Sequence, residues 1–495
     1  MSLLNTRLPS TPTKLQNLAG GVWFSPVAEL VRNSPAHGIP VSVVPLATAE
    51  DVDRAVAAAR ARFDGGGWSD KPAVFRSDIL LRAAELILER VEELSLAETL
   101  ETGKPLWQAR NEIVGAADIW RFAAGQARVL HGQTFNNLGS KSLGLVLRDP
   151  IGVVGLITPW NFPFFILAER LPFILAAGCT VVVKPSELTS TTTVMMGRLL
   201  EEAGVPAGVV NIVTGLGQPA GSRLVEHPDV DMVSFTGSTR VGRSTIIASA
   251  GNIKKLSLEL GGKNPVIVMA DADLEKAADG IVFGILHNAG QCCVSGSRLI
   301  VSREVEAPLT QRIVELMQNV KVGDPLLDET RVGPIVNEVQ FKRIKDLVDR
   351  GVAAGAKLLT GGQQVEPLAG HFLAPTFLAG VKDDMPLATE EIFGPVLAVS
   401  SFDTKEEALQ QANCTRYGLS ATIWTTSLQD GLDLVRGVRA GRVWLNTTIT
   451  GGPEMPIGGY GESGLGRETG LSGIEEYTEV KSIIADLGER TPWAV

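Results

Sequence analysis

Two adjacent cysteines, Cys292 and Cys293, stand in a small polar segment flanked by Gly290 and Gly296. Glycine lets a backbone approach a ligand closely, and a thiol near backbone N–H groups at an element boundary can have a lowered pKa, which favours the nucleophilic thiolate. A free cysteine is more often a small buried apolar residue, and neighbouring side chains point in different directions. The pattern therefore indicates that one thiol of the pair faces a substrate, without indicating which.

Further polar segments follow short apolar runs that have the character of buried strands. Ligands of open parallel sheets bind beyond the carboxyl ends of the strands, so these segments are candidate binding loops. They are residues 158–163, 184–187, 214–221, 235–242 and 259–263. The third contains Gly-x-Gly-x-x-Ala, a weak signal alone because Gly-rich turns are common. A helix starting after Ser238 would offer N–H groups to a phosphate, and Glu259 is either a general base or, as is commoner for a single Glu, a solvated carboxylate.

These segments belong to an alternation of apolar runs and amphipathic helices that begins near residue 151. Such alternation is typical of parallel α/β sheets. Strands are predicted in a first block at residues 153–157, 180–183, 209–213, 232–235 and 255–258, and in a second block at residues 265–268, 298–301, 396–401 and 420–424. The sequence thus predicts an α/β fold with two parallel-sheet lobes.

Helical patterns precede and connect these strands. Thr48 and Asp51 mark a capped helix start, and the apolar spacing that follows predicts one buried face made of Val52, Ala55, Val56 and Ala59. Further helices are predicted over residues 79–88, 92–102 and 188–203. The apolar runs 143–147 and 153–157, separated by Asp149 and Pro150, predict a hairpin-like strand pair that forms an arm or a domain crossover.

Composition limits the classes of function. A chain of 495 residues with 44% apolar and 20% charged residues is typical of a globular protein with two or three domains. The net charge of −10, without a basic block, argues against nucleic acid and membranes as partners. Four cysteines make no disulfide framework and fit a reducing compartment, so a cytoplasmic location is expected. Residues 1–16 lack the apolar core of a secretory signal and are interpreted as a disordered or draping start, and neither Cys-x-x-Cys nor His-Glu-x-x-His indicates a metal site.

Six short motifs occur in one order along the chain. They are Trp160-Asn161-Phe162-Pro163, Lys184-Pro185-Ser186-Glu187, Phe235-Thr236-Gly237-Ser238, Glu259-Leu260-Gly261-Gly262-Lys263, Gly290-Gln291-Cys292-Cys293 and Glu391-Ile392-Phe393-Gly394-Pro395. With these motifs the chain resembles the NAD(P)-dependent aldehyde dehydrogenase superfamily from about residue 20 to its end. The family pattern Gly-Gln-x-Cys identifies Cys293 as the nucleophile. Ser295, where Ala is usual, is a small-for-small departure that leaves this assignment standing.

The resemblance implies a domain organisation and an assembly. It implies a Rossmann-like NAD-binding domain (residues 1–131 and 151–261), a catalytic thiol domain (residues 262–462), and a small β oligomerisation arm with bridging segments (residues 132–150 and 463–495). Residues 474–484 alternate like a strand, and in the family the tail of one subunit joins its neighbour's sheet. Because an exposed strand edge is unsafe unless paired, a homodimer or a homotetramer is expected.

The resemblance also implies the catalytic residues. Cys293 would attack the aldehyde to give a thiohemiacetal, and the Asn161 amide and the Cys293 backbone N–H would hold its oxyanion. Transfer of hydride to NAD would leave a thioester, and Glu259 would activate the water that hydrolyses it. Glu468 matches a family position linked to proton relay, and Arg170 stands where Lys is more usual.

The cofactor implied by the resemblance is NAD. Lys184 and Glu187 would hold the adenosine ribose, and Glu391 the nicotinamide ribose. Phe393 would pack near the nicotinamide ring, and Ser238 would meet the pyrophosphate. The other residues implied for this site are Thr158, Pro159, Trp160, Ser186, Gly217, Phe235, Gly237 and Leu260. Because Glu187 would repel a 2′-phosphate and the two residues after it supply no cation, NAD is expected to be preferred over NADP.

The motifs leave the identity of the aldehyde open. By resemblance, the substrate pocket is lined by Phe162, Phe165, Glu169, Cys292, Val294 and Ile457. Betaine aldehyde members have aromatic residues in the places of Glu169 and Ile457, which surround a quaternary ammonium by cation–π contact, and this chain has neither. A carboxylate at Glu169 would also repel anionic semialdehydes. Neutral or amine-bearing aldehydes are therefore favoured over betaine aldehyde.

Two other classes of function stay open in the sequence. In a CoA-acylating semialdehyde dehydrogenase, CoA rather than water takes the acyl group, and the presence of Glu259 counts against it because that branch does not rely on this base for release. In a structural or binding protein on an inactivated fold, as in the lens crystallins of the superfamily, the catalytic residues are not needed. Intact Cys293, Asn161 and Glu259 count against that class.

The choice between the two cysteines gives a first prediction. Because Gly-Gln-x-Cys identifies the second one, Cys293→Ala should abolish NADH formation from aldehydes, whereas Cys292→Ala should retain it. Steady-state assays of both variants check this assignment, and it is reversed if Cys292→Ala is the inactive protein.

Overall fold

The computed structural model describes residues 8–366, 368–488 and 493. The strands are β1 (Thr13–Lys14), β2 (Asn17–Ala19), β3 (Val22–Phe24), β4 (Glu29–Asn33), β5 (Pro40–Pro45), β6 (Gln133–Phe135), β7 (Ser142–Pro150), β8 (Val153–Ile157), β9 (Thr180–Lys184), β10 (Val210–Ile212), β11 (Met232–Thr236), β12 (Lys255–Glu259), β13 (Asn264–Val268), β14 (Gly296–Ser302), β15 (Lys357–Thr360), β16 (Thr376–Ala379), β17 (Val396–Phe402), β18 (Ser420–Trp424), β19 (Arg442–Leu445), β20 (Gly464–Leu465) and β21 (Thr478–Asp486). The helices are α1 (Ala49–Asp64), α2 (Ala73–Glu89), α3 (Val91–Thr102), α4 (Leu106–Val129), α5 (Pro163–Ala168), α6 (Leu171–Ala177), α7 (Thr191–Glu202), α8 (Ser222–Glu226), α9 (Thr239–Ser249), α10 (Leu274–Leu286), α11 (Glu306–Asn319), α12 (Glu338–Ala353), α13 (Pro386–Thr389), α14 (Lys405–Ala412), α15 (Leu428–Gly437) and α16 (Gly470–Glu476). Of the predicted draping start at residues 1–16, the first seven residues lie outside the described part of the chain.

An eight-stranded sheet forms the first lobe, in the order β20-β12-β11-β8-β9-β10-β2-β3. Its five inner strands, β12 to β10, are parallel, and β20, β2 and β3 run antiparallel to their neighbours. β9 and β11 are buried along their whole length, as expected of parallel strands that helices cover on both faces. The five strands predicted for this block are confirmed to within one residue at each end.

A seven-stranded sheet forms the second lobe, in the order β15-β16-β17-β14-β13-β18-β19. All its pairs are parallel except β15 with β16. The four strands predicted for this block are confirmed to within two residues at each end. The α/β fold with two parallel-sheet lobes is therefore confirmed, while the boundaries of the domains stay a prediction.

The predicted helices before the first lobe are confirmed as α1, α2 and α3. The Thr48 hydroxyl accepts a hydrogen bond from the Asp51 backbone N–H, and the Asp51 carboxylate accepts one from the Thr48 N–H, which completes the capping box of α1. α3 ends at Thr102, because the next residue, Gly103, has a φ of 82° and this left-handed conformation stops the helix. The helix predicted over residues 188–203 starts later, as α7, because the backbone first turns: the Thr189 N–H donates to the carbonyl of Ser186.

The prediction of a hairpin-like pair between residues 143–147 and 153–157 is wrong. β7 pairs with β6 and β21, whereas β8 pairs with β9 and β11 in the interior of the first sheet. Gly152, with a φ of 129°, redirects the chain between the two strands. Val153, Val154 and Leu156 are fully buried, so β8 has the apolar content of a central strand and not of an arm.

A separate three-stranded antiparallel sheet, in the order β21-β7-β6, forms the arm. β21 pairs with β7 of the same chain over nine residues. The strand predicted at residues 474–484 is therefore partly wrong, because its first three residues belong to α16, where Ile474 is fully buried. Tyr477, just before β21, is fully buried as well. None of the described helices is long and apolar enough to cross a membrane.

Removing the tail tests its part in the fold. Deletion of residues 474–495 takes Ile474 and Tyr477 from the core and leaves β7 with an unpaired edge, so we expect aggregated or inactive protein although no motif residue is lost. Light scattering and an activity assay measure this. Deletion of residues 489–495 alone leaves β21 intact and is the matched control, expected to stay soluble. An active, soluble monomer from the longer deletion would contradict the prediction.

Candidate active site

Two loops meet between the sheets. One follows β8 and carries Asn161, and the other precedes β14 and carries Cys293. The Asn161 side-chain amide donates to the carbonyl of Gln291 at 3.0 Å, and the Asn288 amide donates to the carbonyl of Asn161 at 2.9 Å. An amide nitrogen carries two N–H groups. One of them is thus fixed on the thiol loop, which leaves the second N–H of Asn161 for a ligand.

The thiol loop has an unusual backbone that the sequence makes possible. Asn288 and Ala289 have φ values of 50° and 55°, and Gly290 has a φ of 70°. A Cβ at Gly290 would lie 2.1 Å from the carbonyl oxygen of Gly394, so only glycine fits there. Gln291 anchors the loop directly before the cysteines. Its side chain donates to the Asn288 carbonyl at 3.0 Å and accepts from the Val336 N–H at 2.9 Å.

Asn264 at the start of β13 holds the other end of the thiol loop. Its amide donates to the carbonyls of Cys293, at 2.7 Å, and Ser295, at 2.9 Å. Sequence reasoning missed Asn264 and Asn288 as positioning residues. For Asn288 the signal was an Asn two residues before a glycine, since Asn tolerates a positive φ; for Asn264 it was a polar residue that opens an apolar strand.

The two thiols differ in their surroundings. Cys292 is buried against Phe162 and Ile166, whereas Cys293 is half-buried and borders open space. The hydrogen bond with the Cys292 thiol, followed by burial and the nearby carboxylates, raises the pKa of Cys293 well above its usual range. The lowered pKa expected for a thiol at an element boundary is therefore not found at Cys293, so its proton must leave before the sulfur can attack.

Glu259 ends β12 as a buried carboxylate, with 7% of the residue exposed. Its Oε1 is one of the buried oxygens without a hydrogen-bond partner among the described residues. Burial raises the pKa of Glu259 to about 8; Arg170 acts in the lowering direction, and the neighbouring Glu468 and Glu169 add to the rise. A carboxyl with this pKa holds its proton at neutral pH and releases it just above.

Arg170 connects the buried carboxylates. It is 2% exposed, and its guanidinium lies 3.5 Å from Glu468 and 3.6 Å from Glu169. Glu468 also accepts hydrogen bonds from the Ser257 hydroxyl at 2.6 Å and from the Tyr477 hydroxyl at 2.9 Å. The position predicted for proton relay is thus a fully buried polar network next to Glu259.

A cavity of about 540 Å³ lies on one side of Cys293. The predicted cofactor residues that line it are Pro159, Trp160, Gly237, Ser238, Leu260, Glu391 and Phe393. A Cβ at Gly261 would lie 2.1 Å from a carboxylate oxygen of Glu391, and that carboxylate accepts from the Gly262 N–H at 3.1 Å. The glycine pair therefore lets Glu391 enter the cavity. Ser238 caps α9 there, at the helix start predicted for a phosphate.

Six predicted cofactor residues do not line this cavity: Thr158, Lys184, Ser186, Glu187, Gly217 and Phe235. Lys184 and Thr158 share one edge of the first sheet, since the Thr158 N–H donates to the Lys184 carbonyl. The Lys184 ammonium lies 3.8 Å from the Glu187 carboxylate, so these two stand together as predicted.

Sequence reasoning missed the buried Arg32 of β4. Burial lowers the pKa of Arg32, although the carboxylates of Glu101 and Glu187 act to raise it.

A second cavity, of about 480 Å³, lies on the other side of Cys293. All six predicted pocket residues line it: Phe162, Phe165, Glu169, Cys292, Val294 and Ile457. Sequence reasoning missed a further wall from α4, including Trp107, Asn111 and Asp118, and missed Arg442 at the start of β19. Cys293, Glu259 and Thr236 border both cavities. The two spaces therefore meet at the predicted nucleophile and the predicted base.

Comparison with known proteins gives consistent matches. The model of the aldehyde dehydrogenase family matches residues 23–483. The betaine aldehyde dehydrogenase of Bacillus subtilis (strain 168) is 39% identical over 468 residues, covering 94% of this chain and 96% of that protein. A peroxisomal aminoaldehyde dehydrogenase of Pisum sativum is 38% identical, covering 98% of both chains. The crystal structure of an NAD-dependent aldehyde dehydrogenase from Sinorhizobium meliloti has a TM-score of 0.96 at 50% identity, covering 98% of this chain and 97% of that one.

The protonation of Glu259 can be measured directly. In infrared difference spectra of wild type against Glu259→Gln, the protonated carboxyl band of Glu259 should persist at pH 7 and vanish with a midpoint at about pH 8, because burial disfavours the charged form. Glu338→Gln is the matched control, since Glu338 is exposed and its hydrogen bond with Lys342 lowers its pKa. A midpoint for Glu259 near the ordinary value of about 4.3 would contradict the prediction.

Proposed function

Because the chain belongs to the aldehyde dehydrogenase family, we propose that it oxidises an aldehyde to the carboxylic acid with NAD as cofactor. The observation that carries this proposal is the meeting of two cavities at Cys293 and Glu259. One cavity has the predicted cofactor residues and the other the predicted substrate residues. A nucleophile between them can hold a substrate carbon within reach of both.

The residues of the first cavity fit NAD. Glu391 reaches the cavity past Gly261 and offers acceptor oxygens to a ribose, and Ser238 at the start of α9 stands where N–H groups meet a phosphate. Glu187 and Lys184 would hold the second ribose. Bound NAD supplies a hydride acceptor. The name of the Sinorhizobium meliloti neighbour supports NAD over NADP, as does the negative charge of Glu187.

Cys293 is proposed as the nucleophile, with two donors placed for the oxyanion. The second N–H of the Asn161 amide is free, and within the described residues the backbone N–H of Cys293 has no hydrogen-bond partner. The Cys293 thiol releases its proton to water, and the resulting thiolate attacks the aldehyde carbon, which forms a C–S bond and places the carbonyl electrons on oxygen, where these donors stabilise them. Loss of the aldehyde hydride then leaves a thioester on Cys293.

Glu259 is proposed as the base that releases the product. It borders both cavities, and because its pKa is about 8 it becomes able to take a proton from water as the pH rises through that value. The water oxygen bonds to the thioester carbon, the C–S bond breaks, and the thiolate leaves. Half of Glu259 is ionised at its pKa of about 8 and nearly all of it well above that pH, so hydrolysis should rise through about pH 8 and then level off.

For the substrate we favour a neutral or amine-bearing aldehyde. Two relatives are named for betaine aldehyde and aminoaldehydes. Glu169 and Ile457 line the pocket where betaine enzymes have aromatic residues, so the pocket lacks a cation–π cage at those places. A polar carboxylate with an open oxygen is compatible with an ammonium group.

We also propose that the enzyme is a homodimer or a homotetramer and that it acts in the cytoplasm. Within the described residues β21 has a strand partner on one edge only, and Val480 and Ile484 of β21 are 60% and 78% exposed. An edge of this kind is typical of a strand that another subunit covers. The cytoplasmic location rests on the low cysteine content.

A burst experiment tests the proposed reaction. With Glu259→Gln, we expect about one NADH per active site on mixing with NAD and aldehyde, followed by slow turnover, because hydride transfer precedes the step that needs the base. Stopped-flow absorbance measures the amplitude, and wild type is the control.

Three outcomes would change the proposal. A variant without any burst would place Glu259 before hydride transfer. Fast turnover that appears only when CoA is added would indicate acyl transfer to a thiol in place of hydrolysis. Failure of wild type to form NADH from any aldehyde would indicate a binding or structural role.

A further inference from the structure

Arg442 brings an unassigned positive charge into the substrate cavity. It opens β19 and lines the cavity that Cys293 borders. Its Nη2 donates to the carbonyls of Met455, at 2.9 Å, and Pro456, at 3.2 Å, which fixes the plane of the guanidinium. Arginine has five N–H donors, and within the described residues the three on Nε and Nη1 have no hydrogen-bond partner. Arg442 is thus a held cation with open donors.

Glu169 brings an open negative charge into the same cavity. It follows α5, and one of its carboxylate oxygens lies 3.6 Å from Arg170. The other oxygen has no hydrogen-bond partner among the described residues. Burial raises the pKa of Glu169 and lowers that of Arg442, and the two charges oppose both shifts, because each favours the charged form of the other. Glu169 therefore faces the substrate together with a cation, and not alone.

The other charged groups that line this cavity are engaged, exposed or already assigned, as is Glu259, which has an unpaired oxygen but is the proposed base. Glu112 lines it but forms a buried ion pair with Lys104, which lies 3.0 Å from Glu98 as well. Arg170 is held between Glu169 and Glu468. Asp118 is exposed at the outer end of the α4 wall. Glu169 and Arg442 are thus the pair that offers one open acceptor and several open donors at the same place.

We propose that Glu169 and Arg442 together recognise the far end of the aldehyde, and that this end is an amino-acid head group, with Glu169 on the ammonium and Arg442 on the carboxylate. The inference rests on the proposed function and narrows its substrate class. A head group with a single charge would be attracted by one residue and repelled by the other, whereas a zwitterion satisfies both. The apolar side chains of Phe162, Phe165 and Ile457 would contact the carbon chain between the head group and the aldehyde.

Specificity ratios test the pair. The probes are aspartic semialdehyde, β-aminopropanal, which lacks the carboxylate, succinic semialdehyde, which lacks the amine, and butanal. For wild type we expect kcat/KM for aspartic semialdehyde to exceed that for each single-charge analogue by about tenfold or more, as a charged hydrogen bond allows. Arg442→Gln should remove the advantage over β-aminopropanal, and Glu169→Gln the advantage over succinic semialdehyde.

Arg439→Gln is the matched control, because Arg439 is exposed three residues before β19 and borders neither large cavity. Its ratios should equal those of wild type. Each ratio is taken within one protein, so a loss of folded enzyme in a variant changes none of them. Oxidation of butanal with unchanged ratios in both cavity variants would overturn the recognition by this pair and leave the proposed function standing. If wild type oxidises none of the four aldehydes but does oxidise a larger one such as benzaldehyde, the recognition is overturned and the proposed function stands; if it oxidises no aldehyde at all, both are overturned.

Discussion

The site depends on the hydrogen bonds that join the loop after β8 to the loop before β14. The Asn161 amide donates to the thiol loop, and Asn288 of the thiol loop donates back to the Asn161 carbonyl. Each loop comes from a different sheet, so these two bonds set the distance between the sheets at the point where Cys293 stands. The positive φ values before the cysteines, and the close approach of Gly290 to Gly394, serve the same contact. Such strained backbone persists only where the surrounding structure holds it, and that is the case here.

Buried charge is the second constraint. Glu169, Glu259 and Glu468 lie within reach of one cation, Arg170, which is itself 2% exposed. A lysine at this place could lose its proton, whereas a guanidinium stays charged and can serve two carboxylates at once. Burial raises the pKa of Glu169 and of Glu468, and Arg170 opposes that rise in both without carrying a proton between them. Glu259, which has no hydrogen bond to Arg170, is left to burial, and burial sets its pKa at about 8. The same arrangement that destabilises an ionised Glu259 gives the site a base that becomes active as the pH rises through about 8.

The sequence predicted the sheets well because apolar runs reveal buried strands. The predicted pairing of β7 with β8 was wrong, because both segments are apolar and a sequence pattern does not distinguish a strand of the arm from a central strand of the sheet. Motifs located the residues around Cys293, and the structure brings Asn161, Glu259 and the pocket residues together there. The partners of those residues were missed. Asn264 and Arg442 are single polar residues at the starts of strands. They were missed because candidate site residues were sought at the carboxyl ends of strands.

The amino ends of the strands in the second sheet position the site as much as the carboxyl ends of the strands in the first sheet do. Arg32 shows how the two edges are connected: its guanidinium donates to the carbonyl of Val336 at 3.1 Å, while the Val336 N–H donates to Gln291 of the thiol loop at 2.9 Å. The carboxylate of Glu187, at the proposed adenosine end of the cofactor site, acts on the same guanidinium. The carbonyl and the N–H of one residue, Val336, thus contact both a cation beside the cofactor edge and the side chain that orients the thiol loop. The positions of the cofactor edge and the nucleophile are therefore parts of a single packed arrangement, which explains why the residues that matter are spread over the chain from β4 to α16.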